Sequence, residues 1–214
     1  MSRSHVVITG TGRCGTSFLV ELLTHLGLPT GFTISDIESK RIKLARAGFE
    51  HDIRASVCPF IVKAPWFCDH ADEVFSRNDI VIKHVFVPIR ELQAAAESRR
   101  QVAKNTISSW SFLKQIKFAI KPKMIPGGLW NTHSIHEGAQ EEILLRQIYN
   151  LVLSVSDTAV PVTFIRYPRI VKDPQYLFDK LKPILGDIDY ETFSATFIKI
   201  VRPEWVHSFN KNDS

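Results

Sequence analysis

The fold of this chain is decided by the stretch Val6-Val7-Ile8-Thr9-Gly10-Thr11-Gly12-Arg13-Cys14-Gly15-Thr16-Ser17. Its apolar first part predicts a strand covered on both faces, and its glycines predict a tight turn. Apolar residues then recur at helical spacing, which predicts a helix that starts at the turn. The N–H groups of such a turn and the positive end of the helix dipole converge on one point, so the stretch predicts an anion-binding site.

The spacing of this turn is close to that of a nucleotide-binding P-loop, G-x-x-x-x-G-K-[ST]. Gly10 and Gly15 have the required separation, and Ser17 occupies the position of the metal-binding hydroxyl. Thr16 stands where a P-loop has the lysine that reaches the β- and γ-phosphates. The strong cation within the turn is Arg13. The sequence therefore favours phosphate or sulfate binding over ordinary ATP hydrolysis.

Composition and charge are those of an ordinary globular domain. The chain has 214 residues, of which 44% are hydrophobic and 23% charged, so it can bury a core without disulfides or metal. Its net charge of +5 suits anionic ligands. Among such ligands we expect small molecules and not a nucleic acid. Cys14, Cys58 and Cys68 fit neither a zinc pattern nor a disulfide framework. Since the sequence shows no signal peptide or long apolar span, we expect a cytoplasmic protein without a membrane span.

Strand and helix patterns alternate along the chain. Apolar runs predict strands over residues 6–9, 60–62, 80–87 and 160–165. Helical periodicity predicts helices over residues 18–26, 37–49, 66–75, 91–104, 137–155, 173–185 and 190–200. The alternation predicts an α/β fold of the three-layer P-loop type, with a mostly parallel sheet flanked by helices. We expect a single domain over residues 1–214, with a lid or acceptor-binding insertion around 105–136.

Charged side chains follow three of the predicted strands. The turn over residues 10–17 follows the first strand, Lys63 follows the second and Arg90 follows the third. Ligands of parallel α/β sheets bind at the carboxyl ends of the strands. We therefore expect the turn, Lys63 and Arg90 to meet at one edge of the sheet.

Four segments are similar, in residues and in order, to motifs of one enzyme family. Residues 10–19 look like a 5′-phosphosulfate loop, and residues 85–90 with Ser98 look like a 3′-phosphate motif. Residues 164–174 are similar to the family's late strand and turn, and residues 63–65 to its lysine-x-proline after the second strand. The chain thus resembles the P-loop sulfotransferases, which use 3′-phosphoadenosine 5′-phosphosulfate (PAPS) as sulfonate donor.

The resemblance implies a role for each matched residue. PAPS is the implied donor, and no metal is required. The implied ligands of the 5′-phosphosulfate are Gly12, Arg13, Cys14, Gly15, Thr16 and Ser17. Arg90 and Ser98 are the implied ligands of the 3′-phosphate. Lys63 and Arg13 are the implied catalytic cations. Arg99 and Arg100 could help Arg90 and Ser98 to hold the 3′-phosphate, but a solvated basic turn is the preferred interpretation.

The resemblance does not supply the base that accepts the acceptor's proton. Asp36 and Glu38 follow the first helix, in a region that often supplies the base in related carbohydrate enzymes, and they are our candidates. His133 and His136 flank the predicted lid. His84 lies within a predicted strand, where a core or edge histidine with satisfied hydrogen bonds is the simpler interpretation.

The sequence is compatible with three hypotheses about function. The first is a sulfotransferase that acts on a hydroxyl or amine of a carbohydrate or small molecule. The second is a small-molecule or nucleotide kinase, which Thr16 disfavours. The third is a non-catalytic nucleotide-binding relative, because Cys14 replaces the family's usual serine and its glycine-rich C-terminal loop has no clear counterpart. The acceptor and the oligomeric state are not predicted.

Overall fold

The computed structural model describes residues 2–10, 12–40, 48–120 and 138–205. The strands in these ranges are β1 (Arg3–Ile8), β2 (Ile61–Lys63), β3 (Ile80–Ile89) and β4 (Val162–Arg166). The α-helices are α1 (Thr16–His25), α2 (Ile34–Ser39), α3 (Phe67–Phe75), α4 (Leu92–Ser108), α5 (Phe112–Ile120), α6 (Ala139–Ser156), α7 (Pro174–Leu185) and α8 (Tyr190–Ile200). Short 3-10 helices lie at Arg169–Val171 and Pro203–Trp205.

The four strands form one parallel sheet in the order β2-β1-β3-β4. Ile8 of β1 is paired with Lys63 on one side and Phe86 on the other. Beyond it, Ile89 of β3 is paired with Arg166 of β4. The predicted α/β class, with a parallel sheet flanked by helices, is confirmed.

Two hydrophobic clusters cover the two faces of the sheet. Val6 and Ile8 pack with α1, α7 and α8, whereas Val7 packs with α3 and α6. This alternation follows from the two-residue period of a strand. Because helices cover both faces of the sheet, apolar residues can occupy successive positions of a strand. This explains the continuous apolar runs in the sequence.

The region between α1 and β2 differs from the prediction. The helix predicted over 37–49 has the wrong bounds: α2 spans Ile34–Ser39, and residues 41–47 lie outside the described ranges. Gly48 and Phe49 have φ values of 129° and 71°, which a right-handed helix does not allow. β2 starts one residue later than predicted, at Ile61, and the side chain of Phe60 is exposed.

The segment predicted as a lid begins inside a helix. α4 continues to Ser108, so residues 105–108 are its last turn. α5 follows, and Phe118 and Trp110 pack edge to face with their ring centroids 5.3 Å apart. Residues 121–136 of the predicted lid lie outside the described ranges, so a lid or acceptor role stays a prediction.

The strand order places a crevice at the carboxyl ends of β1 and β3. The chain leaves β1 for β2 on one side and returns to form β3 on the other side. Such a reversal separates the helices that follow the two strands and opens a ligand site between them. None of the helices in the described ranges is both long and apolar enough to cross a bilayer.

Candidate anion-binding site

The turn after β1 has a left-handed backbone. Gly12, Arg13 and Gly15 have φ values of 69°, 57° and 88°, and Gly15 is the N-cap residue that precedes α1. Left-handed residues turn successive N–H groups toward a concavity that accepts anions. A positive φ is strained for Arg13, and such strain is typical of functional sites. The turn thus presents N–H groups at the positive end of the α1 dipole.

Two glycines let this turn pack closely against its neighbours. A Cβ atom at Gly10 would lie 2.7 Å from the carbonyl oxygen of Pro88 in β3. A Cβ atom at Gly15 would overlap the side chain of Ile170, in the 3-10 helix after β4. The glycines therefore allow the turn to lie directly against the ends of β3 and β4.

Arg13, Arg90 and Ser98, predicted from separate motifs, meet beside the turn. Arg13 Nε donates a hydrogen bond to Ser98 Oγ over 3.1 Å, and Arg90 Nη1 donates one to the carbonyl oxygen of Arg13 over 3.2 Å. The Arg90 guanidinium lies over the ring of Tyr167, 4.9 Å from its centroid. Burial lowers the pKa of Arg90. The structure thus joins the predicted 5′ and 3′ motifs into one site.

Lys63 is buried at the end of β2 and lies against the first turn of α1. Its side chain is only 2% exposed. Its Nζ donates to Ser17 Oγ over 2.8 Å, to the carbonyl oxygen of Gly48 over 2.5 Å, and to Glu50 Oε1 over 2.8 Å. Burial lowers the pKa of Lys63, and the Glu50 carboxylate opposes this effect. The ammonium group is therefore held at a fixed place beside Ser17.

Three further predicted residues at the turn, Cys14, Thr16 and Ser17, are buried. Cys14 has no exposed surface, and the side chains of Thr16 and Ser17 are nearly covered. Cys14 is close enough to Lys63, Arg90 and Arg99 of α4 to influence the pKa of each. Its thiol thus lies among the cations of the site, in the place where the resembled family has a serine.

Arg99 is a residue of the site to which the sequence interpretation gave too little weight. Arg99 and Arg100 were expected to be solvated, and this was wrong: they are only 5% and 8% exposed. Arg100 donates to Glu97 over 2.7 Å and, through both terminal nitrogens, to Glu141 over 2.9 Å. Nη1 of Arg99 has no hydrogen-bond partner among the described residues. Burial lowers the pKa of Arg99 to about 10, so it is still a cation at neutral pH.

The spacing of α4 contained a signal for Arg99. Ala95, Ala96 and Val102 are buried on this helix, and Arg99 follows Ala95 by four residues and precedes Val102 by three. Positions three and four apart share one helix face. A helical count therefore places Arg99 on the buried face, although its charge suggested the opposite.

The two carboxylate candidates for the base are not next to Lys63. Asp36 caps α2: its Oδ2 accepts hydrogen bonds from the backbone N–H and the hydroxyl of Thr33, and its Oδ1 lies 2.7 Å from Lys40 Nζ. These contacts hold the pKa of Asp36 well below its usual range, which makes it a weak base. The Thr-x-x-Asp spacing was a signal for this cap. Glu38 is exposed on α2.

Of the three histidines considered as the base, one has a structural role and two lie outside the described ranges. His84 Nε2 lies 2.8 Å from the hydroxyl of Thr163, and its ring stacks on Phe86 with centroids 4.3 Å apart. This confirms the interpretation of His84 as a satisfied strand histidine. His133 and His136 lie outside the described ranges.

Glu50 is the carboxylate that does lie next to Lys63, and sequence reasoning missed it. It follows Phe49, whose positive φ is a strained conformation for a bulky residue. The N–H of His51 donates to the carbonyl oxygen of Lys63 over 3.0 Å, which ties this segment to the end of β2. Glu50 is 26% exposed, and its second carboxylate oxygen has no hydrogen-bond partner within the described ranges.

Arg13, Lys63, Arg90 and Arg99 form a cation cluster around the turn. It can hold a ligand with several negative charges, because turn N–H groups and guanidinium groups both favour oxyanions. Within the described part of the chain, no three His, Cys, Asp or Glu side chains are grouped to hold a metal ion. The chain matches no protein-family model, and none of the curated proteins is significantly similar to it. Inferences about function therefore rest on its own residues and geometry.

Proposed function

We propose that this chain is a sulfotransferase that transfers the sulfonate group of PAPS to a hydroxyl or amine of a carbohydrate or small-molecule acceptor. One observation carries the proposal: Arg13, Arg90 and Ser98 are joined by hydrogen bonds beside the start of α1. This arrangement suits a ligand with two separate anionic groups. PAPS has a phosphosulfate at one end of its ribose and a phosphate on the 3′ oxygen.

The residues of the site fit the two anionic groups of the donor. The N–H groups of the turn, with Thr16 and Ser17, would hold the phosphosulfate. Arg90 and Ser98 would hold the 3′-phosphate. Each hydrogen bond from a guanidinium to a phosphate oxygen is charge-assisted and about twice as strong as a neutral one. The unpartnered nitrogen of Arg99 gives independent support for an anion at this place.

When bound, PAPS supplies a sulfonate whose bond to the bridging phosphate oxygen breaks as its bond to the acceptor oxygen or nitrogen forms. Lys63, fixed beside Ser17, offsets the negative charge that grows on the leaving oxygen. Glu50, whose second oxygen has no described partner, accepts the proton that the acceptor loses. Glu50 thus replaces Asp36 and Glu38 as the proposed base.

Calorimetric titration with adenosine 3′,5′-bisphosphate, the product that keeps both phosphates, tests the donor assignment. We expect binding of the bisphosphate without magnesium and no tighter binding of ATP with magnesium. Arg90→Ala should weaken bisphosphate binding about 10- to 100-fold, because a hydrogen bond to a charged group contributes about 1.5–3 kcal/mol. The matched control is Arg146→Ala, since Arg146 is exposed and pairs only with Glu142 at 2.8 Å among the described residues.

Each alternative reading predicts a different result. Magnesium-dependent ATP binding without bisphosphate binding would replace the sulfotransferase by a kinase. Bisphosphate binding without turnover would favour a non-catalytic relative. Turnover is checked by incubating the protein with PAPS and a panel of hydroxyl and amine acceptors, and by measuring the release of adenosine 3′,5′-bisphosphate.

A further inference from the structure

Two consecutive arginines on α4 are buried in contrasting ways. Arg100 has a carboxylate on each side, and its side-chain hydrogen bonds go to Glu97 and Glu141. Arg99 is at least as well buried, yet no side-chain hydrogen bond or ion pair joins it to another described residue. A buried guanidinium that makes no ion pair or hydrogen bond is strongly unfavourable, because its five N–H donors lose their water. At Arg100 two carboxylates offset the free energy lost on burying the guanidinium. At Arg99 no such contact with a described residue offsets it.

The unpaired guanidinium of Arg99 lies close to the anion-binding turn. The preceding residue, Ser98, accepts the hydrogen bond from Arg13. The groups close enough to influence the pKa of Arg99 include Cys14 and Arg13 of the turn, together with Asp69 of α3. Arg99 therefore lies on the side of α4 that meets the anion-binding turn, where Thr16 replaces the lysine of a P-loop.

We infer that Arg99 is an anion-binding residue, and that its guanidinium supplies from α4 the charge that a P-loop lysine supplies from the turn. The ligand class is an oxyanion with two linked anionic centres, such as a phosphosulfate or a pyrophosphate. Arg99 donates to its oxygens while the turn holds them through N–H groups. The inference deepens the proposed function and, for its identification with PAPS, rests on it.

An anion-binding role and a structural role predict opposite effects on the protein without ligand. Replacing Arg99 by methionine removes a buried, unpaired charge and keeps a long apolar side chain. We therefore expect the Tm of the ligand-free protein to stay equal or to rise. Replacing Arg100 by methionine leaves the half-buried Glu141 carboxylate without its guanidinium partner, so the Tm should fall. Arg100→Met is the matched control, with the same change at the next position of the same helix.

The experiment measures Tm and, by calorimetry well below the Tm, the Kd values for pyrophosphate, sulfate and adenosine 3′,5′-bisphosphate. Arg99→Met should raise the Kd for pyrophosphate at least 10-fold, while Arg100→Met should change it less than threefold. Arg99→Lys, which keeps the charge but loses the planar fork, should fall between wild type and Arg99→Met. The lysine variant also provides a measurement if the methionine variant does not fold.

The outcomes separate this inference from the proposed function. Binding of pyrophosphate that depends on Arg99, without binding of the bisphosphate, would uphold the inference and overturn the PAPS assignment. An unchanged Kd in Arg99→Met, or a loss of Tm like that of Arg100→Met with no loss of affinity, would overturn the inference. Wild-type protein that binds none of the three anions would overturn both.

Discussion

An alanine at Gly15 tests how closely the turn is packed. Gly15 has a φ of 88°, and its added Cβ would overlap Ile170 and lie 3.2 Å from the ring of Tyr167. The left-handed backbone costs an alanine about 1–2 kcal/mol. The overlap adds about 1–3 kcal/mol, because Ile170 is fully buried and must move within a packed core. Gly15→Ala should thus lower the free energy of unfolding by about 2–5 kcal/mol.

Gly12 provides the control for the backbone alone. Its φ is 69°, and a Cβ there would have no described atom within 4 Å. Gly12→Ala should therefore lose only the backbone part, about 1–2 kcal/mol. Urea denaturation of both variants measures the two losses. In thermal denaturation, each kcal/mol corresponds to about 2–4 °C for a domain of this size.

The difference between the two variants, about 1–3 kcal/mol, is the expected cost of overpacking. Since Arg90 stacks on Tyr167, a displaced ring should also weaken anion binding more in Gly15→Ala than in Gly12→Ala. Equal destabilisation of the two variants would refute the close packing of the turn against Ile170 and Tyr167.

The remaining predictions concern turnover and pH. Glu50→Gln should lower turnover about 10²- to 10⁴-fold and leave bisphosphate affinity nearly unchanged, as expected of a lost general base; if Glu38→Gln has the larger effect, the base is Glu38. Lys63→Ala should lower turnover about 10²- to 10³-fold, since a preorganised charge at the leaving oxygen is lost; an unchanged rate would exclude that role. Burial lowers the pKa of His84 in the folded state, so below pH 6.5 the unfolded chain binds more protons and stability falls with the pH. In urea titrations, His84→Gln should therefore lose less stability than wild type between pH 7 and 5.5. Part of the pH dependence should remain, because burial also lowers the pKa of His5 and His51. A pH dependence equal to that of wild type would contradict this.

The sequence was sufficient to predict the sheet edge and three of its cations. Apolar runs located the strands, and parallel strands place their carboxyl ends together, so the turn, Lys63 and Arg90 had to meet. The pairing of Ile8 with Lys63 and the hydrogen bond from Arg90 to Arg13 agree with that expectation. Such predictions succeed because they depend on periodicity and on chain direction.

The partners of those cations could not be predicted in the same way. Glu50 and Gly48 reach Lys63 from a segment whose apparent helical pattern gave a wrong prediction, and no local rule leads to the positive φ at Phe49. The prediction that Arg99 is solvated was wrong for another reason. Its spacing placed it on the buried face of α4, but the general preference of charged residues for solvent was given more weight.

Three exceptions to ordinary packing rules lie together at one edge of the sheet. The starts of α7 and α8 follow those rules: Asp173 caps α7 by accepting from the N–H of Tyr176 over 2.9 Å, and Asp189 caps α8 in the same way. At the carboxyl edge, by contrast, Arg13 has a strained φ, Lys63 is desolvated and Arg99 lacks a described partner. Unfavourable features that persist together in one place are typical of binding sites. An oxyanion would relieve the electrostatic ones at once, because it brings negative charge to cations that the fold has already buried. The case for an anion site at this edge therefore stands on geometry, independently of any resemblance in sequence.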